Sequence, residues 1–118
     1  MPATGTLIGE SLRTEWAPTG TRIRRVHRVD QGDTVGLGQP RFWTVIEFET
    51  DDATLAAETL SRALQAEGGW YADLWAGQER IIIFAGRIFR FALGDEQADA
   101  EAKSYGRSAG VPEHQLDW

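Results

Sequence analysis

Gly69-Trp70-Tyr71-Ala72-Asp73-Leu74-Trp75-Ala76-Gly77-Gln78-Glu79-Arg80-Ile81-Ile82-Ile83-Phe84-Ala85-Gly86-Arg87-Ile88-Phe89-Arg90-Phe91 is the stretch on which the fold turns. Aromatic and β-branched residues gather in three runs, Trp70–Trp75, Glu79–Phe84 and Arg87–Phe91, which read as strands. The separators, Ala76-Gly77-Gln78 and Ala85-Gly86, have hairpin length. Ile81 to Phe84 is apolar on both faces, the pattern of a central strand.

Working outward, Phe42–Glu49 alternates, with Phe42, Thr44, Ile46 and Phe48 on the core face and Trp43, Val45, Glu47 and Glu49 on the other. Thr21–Val29 is a further strand. Its Ile23, Val26 and Val29 fall three apart, which implies either a bulge near Arg24 and Arg25 or a two-sided edge strand. Asp30–Pro40, with three glycines and a proline, is a loop. Asp51 and Asp52 precede a helix expected over Ala53–Glu67, whose stripe is Ala53, Ala56, Ala57, Leu60, Ala63 and Leu64 and whose stop is Gly68-Gly69. Leu55 falls outside that stripe. A second helix is expected over Gln97–Ala109, with Ala98, Ala102, Tyr105 and Ala109 inward and Gly110 and Pro112 beyond its end.

Residues 1–20 carry Pro2, Gly5, Gly9, Pro18 and Gly20 and read as an irregular amino-terminal arm, with room for a short strand or helical turn. The expected order is therefore ββαβββα. It defines an α+β two-layer sandwich, an antiparallel sheet of about five strands with two helices on one face, in a single domain over 1–118.

A length of 118 residues, 42% hydrophobic and 25% charged, suits one domain with one core. The absence of cysteine excludes disulfides, thiolate metal ligands and thiol nucleophiles. The two histidines, His27 and His114, do not form a ligand pair, so neither metal nor cofactor is expected. The longest apolar run, Ile81–Ala85, falls far short of the roughly 18 residues that cross a bilayer. Met1–Leu12 has no leader pattern, so the expected setting is cytoplasmic and away from membranes.

The net charge of −6 is uneven: through Ile46 six basic residues face four acids, and from Glu47 onward six face fourteen. An acidic whole argues against general nucleic-acid binding, which draws its affinity from clustered cations. Arg22, Arg24, Arg25, His27 and Arg28, with Arg41 after them, form the one basic cluster. They would meet either phosphates or the chain's own acids. Gly36-Leu37-Gly38 lacks the third glycine and following helix of a phosphate cradle, and no Gly-x-Ser-x-Gly elbow occurs.

Gly69-Trp70-Tyr71-Ala72-Asp73-Leu74, the hairpin Ile83-Phe84-x-x-Arg87-Ile88-Phe89-Arg90, and the closing Tyr105-Gly106, Gly110-Val111-Pro112 and Gln115-Leu116-Asp117 together resemble a family of small uncharacterised bacterial proteins. Gln39-Pro40-x-x-Trp43-Thr44 resembles that family's actinobacterial branch. The resemblance covers roughly half the chain and implies a bacterial protein. It implies no chemistry, and no catalytic residue is carried over.

Two features could carry chemistry. If Trp70, Ala72 and Leu74 point to the helices, Tyr71, Asp73 and Trp75 share the other face. A carboxyl group between two rings can be raised in pKa and bind a polar ligand group, or it can pair with Arg87 or Arg90 on a neighbouring strand. Glu47 and Glu49, roughly 7 Å apart along one strand face, could hold a cation or act as an acid/base pair, or form a solvated outer face. Five tryptophans, Trp16, Trp43, Trp70, Trp75 and Trp118, exceed what so small an interior is expected to hold.

The functional expectation is accordingly a binding module. It would dock on another protein through an aromatic sheet face or edge, in the manner of an inhibitor or immunity protein, using Trp43, Tyr71, Asp73, Trp75 and Arg90. Homo-oligomerisation is left open. The alternative is a small enzyme or small-molecule-binding domain built on Asp73 and its aromatic neighbours, with its pocket between the sheet and the amino-terminal arm and with Glu47 and Arg90 in support.

Overall fold

The computed structural model describes residues 2–36 and 38–118; Met1, at the start of the expected arm, and Leu37 of Gly36-Leu37-Gly38 lie outside the described residues. Six strands form one antiparallel sheet: β1 (Ala3–Ile8), β2 (Thr21–Asp30), β3 (Phe42–Thr50), β4 (Ala72–Ala76), β5 (Glu79–Phe84) and β6 (Arg87–Ala92). Helix α1 (Ala53–Ala63) follows β3, and α2 (Glu96–Ser108) follows β6. The spatial order is β2-β3-β1-β4-β5-β6. The fold class is α+β, as the pattern of runs predicts, with the three-strand meander β4–β6 as read.

The supposed arm is the main correction. Ala3–Ile8 is a strand in the middle of the sheet, paired antiparallel to β3 on one side and β4 on the other. Strands β3 and β4 are therefore parallel to each other and joined through α1, a β-α-β unit split by β1. Gly5, which reads as a chain breaker in sequence, is what lets the Phe48 ring cross β1: an added Cβ would lie 2.6 Å from Phe48 Cζ.

The second correction concerns the helices, which cover opposite faces. Ala56, Ala57 and Leu60 of α1, with Leu64 just past its end, pack with Leu7, Phe48, Leu74, Ile81 and Ile83. Ala102 of α2 packs with Ile82, Phe84, Phe91, Val111 and Leu116, reached from the other side of β5. A strand apolar on both faces requires cover on both, and a sandwich with both helices on one side would leave Ile82 and Phe84 in water.

Helix α1 also ends earlier than expected. Leu64 is extended and bridges to Leu12, while Arg13 N donates to Ala63 O at 2.9 Å and Gln65 N to Ser11 O at 2.8 Å. Residues 11–13 thus give the end of the helix a tertiary partner before Gly68-Gly69 is reached. At its start, Asp52 alone caps, accepting from Leu55 N at 2.9 Å. Asp51 is bound instead to Arg22.

Candidate functional site

On the face that α2 half covers, β1, β3, the approach to β4 and the carboxyl-terminal tail enclose a pocket of about 350 Å³. Its floor is the β1–β4 pairing, where Thr6 lies opposite Asp73. Its walls are Trp43 from β3, Trp70 and Tyr71 ahead of β4, and His114, Gln115 and Asp117 of the tail. Trp70 departs from the expected alternation: it precedes β4 and packs against Trp43, with ring centroids 5.2 Å apart.

The tail is held down by polar contacts. Tyr71 Oη donates to Gln115 O at 2.7 Å and lies 3.0 Å from Asp117 Oδ1. Gln39 is a buried hub: its amide donates to Gly68 O at 2.8 Å, its carbonyl accepts from Gly36 N at 2.7 Å and from the Gln115 amide at 3.1 Å. His114 Nε2 meets Thr34 O, which ties the tail to the β2–β3 loop. Gly69, at φ +68°, brings its backbone so near Gly110 that a Cβ would fall 2.3 Å from Gly110 O. Gly106 gives its space to Leu116 in the same way.

Asp73 Oδ2 accepts from Arg80 Nη2 at 2.6 Å, with the two side chains 20% and 13% exposed. The partner is neither Arg87 nor Arg90, because Arg80 is the diagonal neighbour on the adjacent strand whereas those two lie on β6. Burial raises the Asp73 pKa above the usual carboxylate range, with Arg80 opposing it. Burial likewise pushes the Tyr71 hydroxyl well up, reinforced by the negative charge of Asp117, so Tyr71 stays protonated.

Trp43, Tyr71 and Asp73 therefore meet in one pocket. Trp75 lies on the same face beyond Asp73, with the Arg80 guanidinium 3.9 Å over its ring. Arg90 is on the opposite face, bound to Glu79 and Thr54. Glu47 is also outside the pocket. It faces Arg25 at 3.5 Å, and Glu49 takes Arg22 and Arg24, each at 2.8 Å. The register shift between Ile23 and Arg25 is the first of the two alternatives read for this strand, a bulge, and it brings Arg22, Arg24, Arg25 and His27 to the face of Glu47 and Glu49. The basic cluster is thus engaged largely by the chain's own acids.

Of the five indoles, Trp16 packs edge-on against Phe48 and donates to Thr59, Trp118 packs against Tyr71, Trp70 is buried and Trp43 half-buried; Trp75 is 42% exposed. Sequence reasoning did not bring Thr6, Gln31, His114, Gln115 or Asp117 into one pocket with Asp73, nor find Gln39 as the support of the tail. The one available signal was that Gln39, Trp43, the Gly69–Leu74 run and Gln115–Asp117 all stand in the stretches singled out for their resemblance. Among the described residues no cluster of three metal-ligating side chains forms, and no helix is long and apolar enough to cross a membrane. No family model matches the chain, and no curated protein or solved structure is significantly similar to it.

Proposed function

We propose that this chain is a small-molecule-binding domain whose ligand occupies the pocket over the β1–β4 floor. The observation that carries this reading is a cavity of about 350 Å³ with the Asp73 carboxylate at its floor and rings on its walls. Pairing with Arg80 accounts for the burial of Asp73; it does not account for an open cavity above it, lined by Trp43, Trp70 and Tyr71. Volume and composition suit a pocket for a small ligand. A bacterial, cytoplasmic setting belongs to the same proposal.

The test is a fragment screen on protein carrying ¹⁵N-labelled tryptophan indoles. Ligands of the pocket are expected to move the Trp43 and Trp70 indole signals and to leave Trp16, on the other face, in place. Fragments that move none of these signals, or Trp75 alone, overturn the reading.

One observation favours docking on another protein instead. Trp75 and Leu93, 42% and 46% exposed, border a groove of about 240 Å³ rimmed by Asp95, Glu96 and Asp99, an apolar strip beside acids that suits a basic partner surface. Binding to such a partner would be lost on Trp75→Ser and weakened by salt, with Trp43→Leu without effect.

A further inference from the structure

We propose that the pocket recognises a small organic cation of the alkylated-ammonium class, an inference that rests on the ligand-binding reading and adds the chemistry of the ligand. Three features of the lining point the same way. The first is the walls. Trp43 and Trp70 meet at 58°, and the Trp43 Nε1 proton is spent on Pro40 O at 2.9 Å, so what this ring has left to offer a ligand is its π-face. Among aromatic side chains the indole face attracts cations most strongly, and more so where water is excluded.

The second is the sign of the fixed charge. The lining holds two carboxylates, Asp73 and Asp117, and no lysine or arginine. Arg80, which pairs with Asp73, stands outside the lining under Trp75. Asp117 has no cationic partner within salt-bridge distance among the described residues; its neighbour is the Tyr71 hydroxyl at 3.0 Å. One negative charge is therefore left over at the mouth, above a floor whose own carboxylate is already paired. An anionic ligand would meet that charge with no lysine or arginine in the lining to offset it.

The third is the state of the donors. The Tyr71 hydroxyl donates to Gln115 O, the His114 ring nitrogen meets Thr34 O, and the Gln115 amide bonds to Gln39. What remains on offer is acceptor oxygen, ring face and three uncharged donors, the Thr6 hydroxyl, the Gln31 amide and the Trp70 indole N–H. A primary ammonium could use the oxygens and the faces, but a methylated ammonium needs the faces more than the oxygens and spends little on desolvation, which suits a pocket with two indoles and one free carboxylate.

The probe is choline, titrated into the full chain and followed by tryptophan fluorescence and by the Trp43 and Trp70 indole signals. Its control is the uncharged carbon isostere, in which a tert-butyl group replaces trimethylammonium at nearly equal shape. Saturable choline binding, at least about tenfold tighter than the isostere (about 1.4 kcal/mol), supports the proposal. Asp117→Asn, at an exposed position, is expected to weaken choline several-fold and to leave the isostere and the urea midpoint unchanged. Trp43→Leu is expected to abolish both.

Equal binding of choline and isostere overturns the cation class and leaves the pocket reading standing. So does a fragment screen that moves Trp43 and Trp70 while choline does not. Silence of those indoles toward every probe overturns both.

Discussion

The two ends of one sheet face are built on different physics. Toward β5 and β6, Phe84 is ringed by Tyr71, Phe89, Tyr105 and Trp118 at centroid distances of 4.9 to 6.2 Å, under α2 and the tail. Toward β3 and β2 the same face is a lattice of ion pairs between Arg22, Arg24, Arg25, Glu47, Glu49 and Asp51, open to solvent. Dispersion and apolar burial hold the first region; screened Coulomb attraction decorates the second. The pocket lies at the seam, where burial is deep enough to raise Asp73 yet incomplete enough to leave a cavity.

The sharpest way to break the comparison is Phe84→Ala. It removes a ring 2% exposed at the centre of the packed end and is expected to cost about 3–5 kcal/mol, read from the urea midpoint at unchanged slope. Asp73→Ala, at the seam, strands the Arg80 guanidinium at 13% exposure and should cost about 3 kcal/mol, whereas Asp73→Leu with Arg80→Met together should recover most of the loss. A double variant no better than the single one would show that the pair itself holds the strands.

In the ion-pair lattice, Arg24→Ala is expected to cost under about 1 kcal/mol and to cost less still in molar salt. A loss as large as that of Asp73→Ala would erase the distinction between the two ends.

The smallest effect is also the most discriminating, because the seam and the ion-pair end respond to acid with opposite sign. Asp73 is raised above 3.8 in the folded protein, so the native state takes up its proton first and gains stability as pH falls through that raised value. Glu49 and Asp51 are lowered by hydrogen bonds from Arg22, and Asp30 is lowered to about 2 by Arg41. Their contribution is whole above the unfolded-state values near 4 and fades as pH drops below them, for Asp30 between 3.8 and about 2. Chemical denaturation against pH should therefore show a shallow rise followed by a fall. Asp73→Asn should remove the rise and keep the fall.

Edge behaviour extends the contrast. Strand β2 carries Ile23 and Val26 on the α1 face beyond the reach of α1, with Ile23 66% exposed, and its outer rim is unpaired. Its arginines, crowded within one strand, set like charges against each other if two copies pair edge to edge. The bulge at Arg24 adds a local twist to that rim.

Much of this was legible in the chain. The meander, both helices, one of the two alternatives for β2 and the alternation of β3 follow from period, turn residues and caps, which are local properties of sequence, although Phe42, expected on the core face, is 48% exposed at the start of β3. Asp73 and its aromatic neighbours stood out because a carboxyl group between rings is a local anomaly as well. The identity of its partner was not local: Arg80 became the partner through the β4–β5 register, in which Trp75 faces Arg80 and Asp73 lies diagonal to it.

What composition and periodicity determined, then, was five of the six strands, both helices and which of their side chains share a face. What tertiary structure decided was which segments lie side by side. Ala3–Ile8 became a central strand because β3 and β4, separated by α1, left a gap between them that only a strand with a glycine under Phe48 could fill. The tail became a pocket wall because Gly69 and Gly106 let Gly110 and Leu116 approach, and nothing within either segment specifies the other. Hydrophobic pattern is read along the chain, whereas a cavity is set by the distances between elements far apart in it, and those distances exist only once the sheet has formed.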